Sequence, residues 1–463
     1  MSAMLLSGTL TTFAQAQVEM TTSTAVGETF SFTVNRGASI TVDWGDGNPV
    51  NIKTDGQPVS GVLQGPTVKV DGDRLTLLNC DGAGLTGLNV ARATGLRTLS
   101  CSDNELTELS LTNNTALVEL DCSSNRLATL SITRLKELQI LNCSDNQIAT
   151  LSVRNSAGLR QLMCGNNKLT TLTVSSLPQL ETLWCPDNEL AALVIDGNRK
   201  LKSLVCDGNQ LTRIKTAATG HPELVDFWCA DNRLTTLTLN ASSKIQTLNC
   251  ENNQLTQATL AALSQPAKAV FLGNNQLDFT SFYTRRNVQN YFYDPQGIFP
   301  LSASQVNIDE EVECPDMRKD VENATVAPSY TWINETDNST LAKGSQKDYV
   351  AVTSKGWAFK FKKPFEAVHC LISSRNFPGI TLQSSTLRVV DPLADAITEH
   401  TRQSGFTYHV SNGSINMSAE KPLLVRIYTL NGKLVWNGTV NGSGTQVHLG
   451  RGVFMVNNIK VAL

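Results

Sequence analysis

The chain has 463 residues, too many for one hydrophobic core, so several domains are expected. Hydrophobic residues make up 41% of it and aromatics only 6%, the composition of a folded, aliphatic-rich protein. A formal net charge of -3 without a basic stripe argues against a nucleic-acid partner, and the five histidines are scattered. No apolar run reaches the roughly 18 residues that a membrane-spanning helix needs.

In chain order, Met4-Leu5-Leu6 through Phe13 is a short apolar stretch, and Ala14-Gln15-Ala16 fits the small-x-small pattern of a signal-peptidase site. Residues 1–16 are therefore read as a signal peptide, although the usual basic start is missing. No cysteine follows the stretch, which argues against a lipid anchor. Residues 17–74 alternate with period two in Phe30-x-Phe32-x-Val34 and Ile40-x-Val42-x-Trp44, with turns at Gly45-Asp46-Gly47, Asp55-Gly56 and Asp71-Gly72. That is a β-rich cap, which shields the edge of the sheet that follows it. Val42-Asp43-Trp44-Gly45-Asp46-Gly47 resembles the W-G-D-G turn of extracellular bacterial β-domains. Its acidic pair is a candidate for Ca²⁺, and a tight turn explains it more simply.

Residues 75–280 are repetitive. Nine cysteines stand at Cys80, Cys101, Cys122, Cys143, Cys164, Cys185, Cys206, Cys229 and Cys250, at a step of 21 residues with a single step of 23 before Cys229. One repeat reads Leu117-x-x-Leu120-x-Cys122-x-x-Asn125-x-Leu127-x-x-Leu130-x-Ile132, and a tenth turn closes with Leu272, Asn275 and Leu277. A fixed period of this length marks a solenoid. Leu-x-Cys predicts a short strand with both named side chains inward. Stacked in parallel at about 4.8 Å, ten such strands make a sheet on the order of 45–50 Å long. The asparagine column (Asn104, Asn125, Asn146, Asn167, Asn188, Asn209, Asn232, Asn253, Asn275) follows each strand where the chain turns inward. A side-chain amide there both donates and accepts, so it is expected to satisfy buried backbone groups turn by turn. The second half of each repeat (Leu130-x-Ile132, Leu151-x-Val153) also alternates, leaving no room for a helix on the convex side. The two extra residues of the 23-residue step, near His221-Pro222, are expected to bulge as a loop.

This pattern resembles the 21-residue leucine-rich repeats of bacterial internalins, the internalin J type in particular, whose repeats carry a cysteine at this strand position. It is also similar to the class in which each half-repeat reads L-x-x-L-x-L, a form that Asn114 completes. The resemblance spans about 200 residues and implies a surface protein used in adhesion or recognition. For the nine cysteines, parallel in-register side chains do not offer the roughly 90° dihedral of a disulfide, and a straight column does not converge on a metal. They are read as buried thiols filling a narrow coil.

The exposed concave column, the residue between Leu and Cys, reads Asn79, Ser100, Asp121, Asn142, Met163, Trp184, Val205, Trp228, Asn249, Phe271. It is polar at first and apolar later. With Ile140 and Pro186 from adjacent columns, the residues Met163, Trp184, Val205, Trp228 and Phe271 form an expected ligand-binding stripe, since exposed contiguous apolar surface marks interaction sites. Burial by a neighbouring domain is the competing account. The acidic residues two after cysteine (Asp103, Asp145, Asp187, Asp231) admit a Ca²⁺ reading, with turn capping the plainer one.

Tyr291-Phe292-Tyr293-Asp294-Pro295-Gln296 looks like an aromatic plug, so residues 281–300 are read as the C-terminal cap of the solenoid. Residues 301–391 alternate in Tyr330-x-Trp332 and Trp357-x-Phe359-x-Phe361, and Cys314, Trp332 and Cys370 resemble the core of an immunoglobulin-like β-sandwich without its tyrosine corner. Whether Cys314 and Cys370 are bridged stays open. Residues 392–404 are a polar linker. Residues 405–463 contain Leu424-Val425-x-Ile427-Tyr428-x-x-Asn431-Gly432-Lys433-Leu434-Val435 and Gly450-Arg451-Gly452-Val453-Phe454-x-Val456. They closely resemble the C-terminal sorting domain of the type IX secretion pathway, which implies attachment at the outer surface of a Gram-negative cell.

The fold class expected is mostly β: a leucine-rich-repeat solenoid with an extended convex side, then an immunoglobulin-like sandwich and a small C-terminal sandwich. No H-E-x-x-H, G-x-S-x-G, phosphate-loop or paired-carboxylate constellation occurs, and His369 and Cys370 as strand neighbours point to opposite faces. No enzyme, cofactor or metal is expected. The reading is a secreted, cell-surface adhesin-like protein binding a protein partner on a host or neighbouring cell, with a self-associating biofilm-matrix protein and a glycan-binding module as alternatives.

Overall fold

A computed structural model describes residues 16–463 except 219, 240–243, 260–266, 280–287, 318–327, 376, 378, 392–404, 412, 430–432, 443, 451, 457–458 and 463. The signal-peptide reading therefore lies outside the described residues apart from Ala16, as does the 392–404 linker. The described residues contain strands and no helix. The chain divides into two compact units, 1–296 and 297–463.

In the first unit, alternation decides which faces are buried. Thr29–Val34 buries Phe30, Phe32 and Val34, and Ser39–Asp43 buries Ile40 and Val42. The segment 17–74 does meet the first rung of the coil. Thr29–Val34 pairs antiparallel with Leu77–Asn79, and Val59–Val62 pairs outside it. The second half of that rung, Leu85–Asn89, pairs antiparallel with Val18–Thr22 in a separate five-stranded sheet. The W-G-D-G turn is held by its own carboxylates. Asp43 Oδ1 accepts from the Gly45 and Gly47 N–H groups at 2.9 and 3.0 Å, and Asp46 Oδ1 accepts from the Asn48 N–H at 3.0 Å. Gly45, at φ 108°, lies against Gly65, so a Cβ there would meet the Gly65 backbone at 2.5 Å.

The repeats stack as parallel, in-register strands: Leu77–Asn79, Thr98–Ser100, Glu119–Asp121, Ile140–Asn142, Gln161–Met163, Thr182–Trp184, Ser203–Val205, Asp226–Trp228, Thr247–Asn249, Ala267–Phe271 and Val288–Phe292. With Thr29–Val34 and Val59–Val62 they make one 13-stranded sheet. Beyond Leu85–Asn89 of the first rung, the strands of the convex side among the described residues are short, Ala192–Val194 with Arg213–Lys215 and Thr236–Thr238 with Gln257–Thr259.

Two columns set the interior. The nine cysteines are buried free thiols. Burial pushes Cys143 and Cys185 up to about 12, and Cys229 Sγ donates to Cys250 Sγ at 3.1 Å. Each asparagine reaches across to the preceding rung. Asn188 Nδ2 donates to the carbonyls of Cys164 (3.0 Å), Cys185 (3.4 Å) and Pro186 (3.0 Å), while its Oδ1 accepts from the Leu169 N–H at 3.0 Å. The same four-partner arrangement recurs at Asn104, Asn125, Asn146, Asn167, Asn209, Asn232, Asn253 and Asn275.

Two expectations are revised. The 23-residue step does not simply bulge, because His221 folds inward and is buried. Its Nε2 accepts from the Ala217 N–H at 3.2 Å and its Nδ1 meets the Asn198 carbonyl at 3.3 Å. The aromatic segment at 291–296 is itself an eleventh rung. Tyr293 takes the cysteine place, and Gln296 takes the asparagine place, accepting from the Leu277 N–H at 3.0 Å and donating to the Leu272 carbonyl at 2.8 Å. A glutamine can do this because its amide is the asparagine amide on a longer stem.

In the second unit, Phe365–Ser373 is the centre of one sheet, pairing with Ser329–Asn334, Thr381–Gln383 and Leu387–Val390. Ala358–Phe361 is the centre of the other, between Glu311–Glu313 and Tyr349–Ala351. Trp332 is fully buried, edge-on to Phe359 at 5.8 Å and to Phe361 at 4.8 Å. Cys314 and Cys370 are buried free thiols near each other; burial, and then Cys314, push the Cys370 thiol far above its ordinary range. Residues 405–463 form a three-stranded and a four-stranded sheet around Ile415, Met417, Val425, Ile427, Val440 and Val456.

Candidate functional site

The concave sheet presents one outward-facing residue per rung beside the buried interior columns, exposed at Trp184, Trp228 and Phe292 and half-buried elsewhere, so its chemistry reads directly as a column. At the N-terminal end that column is polar and satisfied by its own neighbours. Ser100 Oγ donates to Asp81 at 2.7 Å, the Ser102 N–H donates to the same carboxylate at 2.7 Å, and Asn142 Nδ2 donates to Asp121 at 3.1 Å.

Further along, the column turns apolar. Met163, Trp184, Val205, Trp228, Asn249 and Phe271 follow one another in register. Trp184 is 46% exposed and Trp228 36%, with half-buried Val205 between them. Two strand steps of about 4.8 Å separate the tryptophan backbones by about 9.6 Å. The Trp184 indole leans along the stack, its Nε1 donating to Ser203 Oγ on the next rung at 3.2 Å. Such a bond limits the ring's rotamers and prepares it as a contact surface.

The other residues of the expected stripe join it to different degrees. Pro186 lies beside Trp184 in the next column, against Gly165, where a Cβ would meet the proline ring at 2.9 Å. Ile140 is half-buried in the opposite column, flanked in register by Glu119 and Gln161. Phe271 is separated from Trp228 by Asn249 and stacks on Phe292, ring centroids 4.6 Å apart at 5°. Phe292, 46% exposed, extends the column and was not part of the stripe expected from sequence. The signal was available, because Phe292 stands 21 residues after Phe271 as Gln296 does after Asn275.

The acidic positions two after cysteine have a backbone reason. Asp103, Asp145, Asp187 and Asp231 all adopt left-handed φ of 51–55°, as do Ser124, Asn166, Asn252 and Asn274 in the other rungs, at 49–54°. Asp and Asn enter that region more readily than other non-glycine residues, which accounts for the column without an ion. Among the described residues no group of three or more His, Cys, Asp or Glu side chains is placed to hold a metal.

One carboxylate on this face stands apart. Asp207, on the Val205 rung, is half-buried and accepts from the Ala230 N–H at 2.6 Å. Desolvation, and then the neighbouring Asp231 and Asp187 carboxylates, raise its pKa to about 6 against the pull of that hydrogen bond.

No family model matches the chain, and no curated protein matches it. Among solved structures, the functional domain of InlJ from Listeria monocytogenes, described as including a cysteine ladder, is similar at 18% identity over 70% of this chain and 93% of that one, with a TM-score of 0.34. YopM from Yersinia enterocolitica is similar at 23% identity over 46% of each chain (TM-score 0.39). A leucine-rich-repeat protein of Leptospira interrogans is similar at 20% identity over 47% of this chain and 67% of its own (TM-score 0.36).

Proposed function

We propose that the chain is a secreted, cell-surface leucine-rich-repeat protein that recognises a protein partner through its concave face and so mediates adhesion to a host or neighbouring cell. The observation that carries this is the pair Trp184 and Trp228, large rings left exposed in register on a sheet whose other end is polar and internally satisfied. A folded chain gains nothing from exposed indoles, whereas tryptophan is a favoured anchor of protein interfaces. The sorting-domain pattern within 405–463 supports attachment at the outer surface of a Gram-negative cell.

The test is Trp184→Ala/Trp228→Ala in the full chain. Cell or partner attachment should fall at least tenfold, because hot-spot truncations cost about 2 kcal/mol or more. The far-UV spectrum should not change, since neither ring belongs to the core. Unchanged attachment would sink the reading.

A further inference from the structure

The concave positions of the four rungs around the tryptophans carry charge of one sign. Across the outward-facing positions of Thr182–Trp184, Ser203–Val205, Asp226–Trp228 and Thr247–Asn249, and the two residues after each of their cysteines, the ionisable side chains are Asp187, Asp207, Asp226, Asp231 and Glu251. No Lys, Arg or His stands among them. None of the five is in an ion pair among the described residues, although ion pairs occur at other positions of the same coil, as in Arg160–Glu181–Lys202 and Glu223–Lys244.

The layout around Val205 is specific. Trp184 and Trp228 stand on the rungs either side, Val205 is the floor, and Asp207 borders it on the same rung with Asp187 and Asp231 on the neighbouring ones. Like charges held this close raise one another's energy, and a cation placed among them relieves it. A cation over an indole face gains again from the ring quadrupole, and a guanidinium can stack there while its N–H groups meet a carboxylate.

We propose that the segment captured by this face is basic: an arginine or lysine side chain of the partner protein lodges between Trp184 and Trp228 over Val205, its cationic head toward Asp207, with Asp187, Asp226 and Asp231 around it. The assignment rests on the concave face being the protein-binding surface. It predicts that affinity falls as ionic strength rises, because the acids around the notch act partly through solvent.

The experiment uses the full chain as bait for a displayed library of random dodecapeptides. Recovered peptides are then synthesised and titrated by calorimetry against the wild type, Trp184→Ala/Trp228→Ala and Asp187→Asn/Asp207→Asn/Asp231→Asn. Asparagine is structurally tolerated at these places. Asn166 and Asn252 already hold the left-handed position of Asp187 and Asp231, and an amide oxygen at 207 keeps an acceptor for the Ala230 N–H. The expected result is a set of arginine- or lysine-bearing peptides whose affinity drops about tenfold or more in either variant and weakens with added salt. Neutral or acidic peptides that need the tryptophans but not the carboxylates overturn the basic assignment and leave protein recognition standing. Recovery of no tryptophan-dependent peptide overturns both.

Discussion

A buried asparagine amide is the residue on which this coil turns. At Asn188 one side chain satisfies three carbonyls and one N–H, two of these partners lying on the preceding rung. Its replacement by alanine leaves the Leu169 N–H without a partner, while the Cys164, Cys185 and Pro186 carbonyls each keep one other donor, Asn167 Nδ2, Asn209 Nδ2 and the Asn166 N–H. A buried unsatisfied group costs about 1–3 kcal/mol. The three carbonyl bonds lost with it add less each, because every one of those carbonyls stays hydrogen-bonded. Asn188→Ala is therefore expected to destabilise by roughly 2–4 kcal/mol, read as a lower denaturant midpoint. A loss under about half a kcal/mol would mean that water enters and replaces the amide. The asparagine column was legible from sequence because amide chemistry and spacing suffice to argue it. Asp207 was not, because its chemistry depends on how far Ala230 and the carboxylates on adjacent rungs enclose it.

At the level of the element, the coil has a second polar column on its convex half, and the 23-residue step joins it. Asn114 Nδ2 donates to Val90 and Ala93 carbonyls at 2.9 and 3.0 Å, and Asn198 does the same to Val174 and Leu177 at 2.8 and 2.9 Å. Leu135, Ser156 and Leu177 stand at the buried places between them, Ser156 Oγ donating to the Leu135 carbonyl at 3.4 Å. His221 then meets the Asn198 carbonyl, so the inserted residues continue a ladder. The insertion was visible in the spacing of the cysteines, but not its direction, since an imidazole next to proline reads equally as a solvated loop. Phe292 was missed for a related reason. Tyr293 and Gln296 hide the repeat by substituting for cysteine and asparagine with side chains of different size.

Burial lowers the His221 pKa below its ordinary value of 6.5, against the opposing Asn198 hydrogen bond. The unfolded chain thus binds the proton more readily than the folded one. The contribution of His221 to stability is whole above pH 6.5 and is lost as pH falls below it. Asp207 works in the opposite sense: its raised pKa makes the folded chain hold a proton more readily between its ordinary value and about 6, so it favours the fold as pH falls through that window. A wild-type profile sums the two, and the discriminating comparison is His221→Gln. Denaturation midpoints of that variant should be lower than wild type at pH 7.5, and the gap should narrow by pH 5. A gap that stays constant would place the histidine proton outside the stability balance.

Over the whole molecule, a stack in which each rung pairs only with its neighbours has two ends to protect. At the start of the coil, Thr33 and Val34 pair with Asn79 and Leu78, and Leu85–Asn89 is covered by Val18–Thr22. Removing residues 1–74 strips both halves of the first rung at once. It exposes unpaired N–H and C=O groups of Leu77–Asn79 beside the newly uncovered Leu78 and Leu85 side chains. Such an edge is a template for another chain, since it offers backbone pairing and apolar burial together. A protein beginning at residue 75 is therefore expected to sediment as associated species at concentrations where the longer chain gives one slow boundary. Its far-UV spectrum should retain the β signal of the remaining rungs, because the loss of one neighbour does not unpair the rest. If the shortened protein instead sediments as the longer one does and melts no earlier, the strands before the coil do not act as its cap. The stack would then close its own first rung, and the register of Thr33 and Val34 against Asn79 and Leu78 would carry no stability.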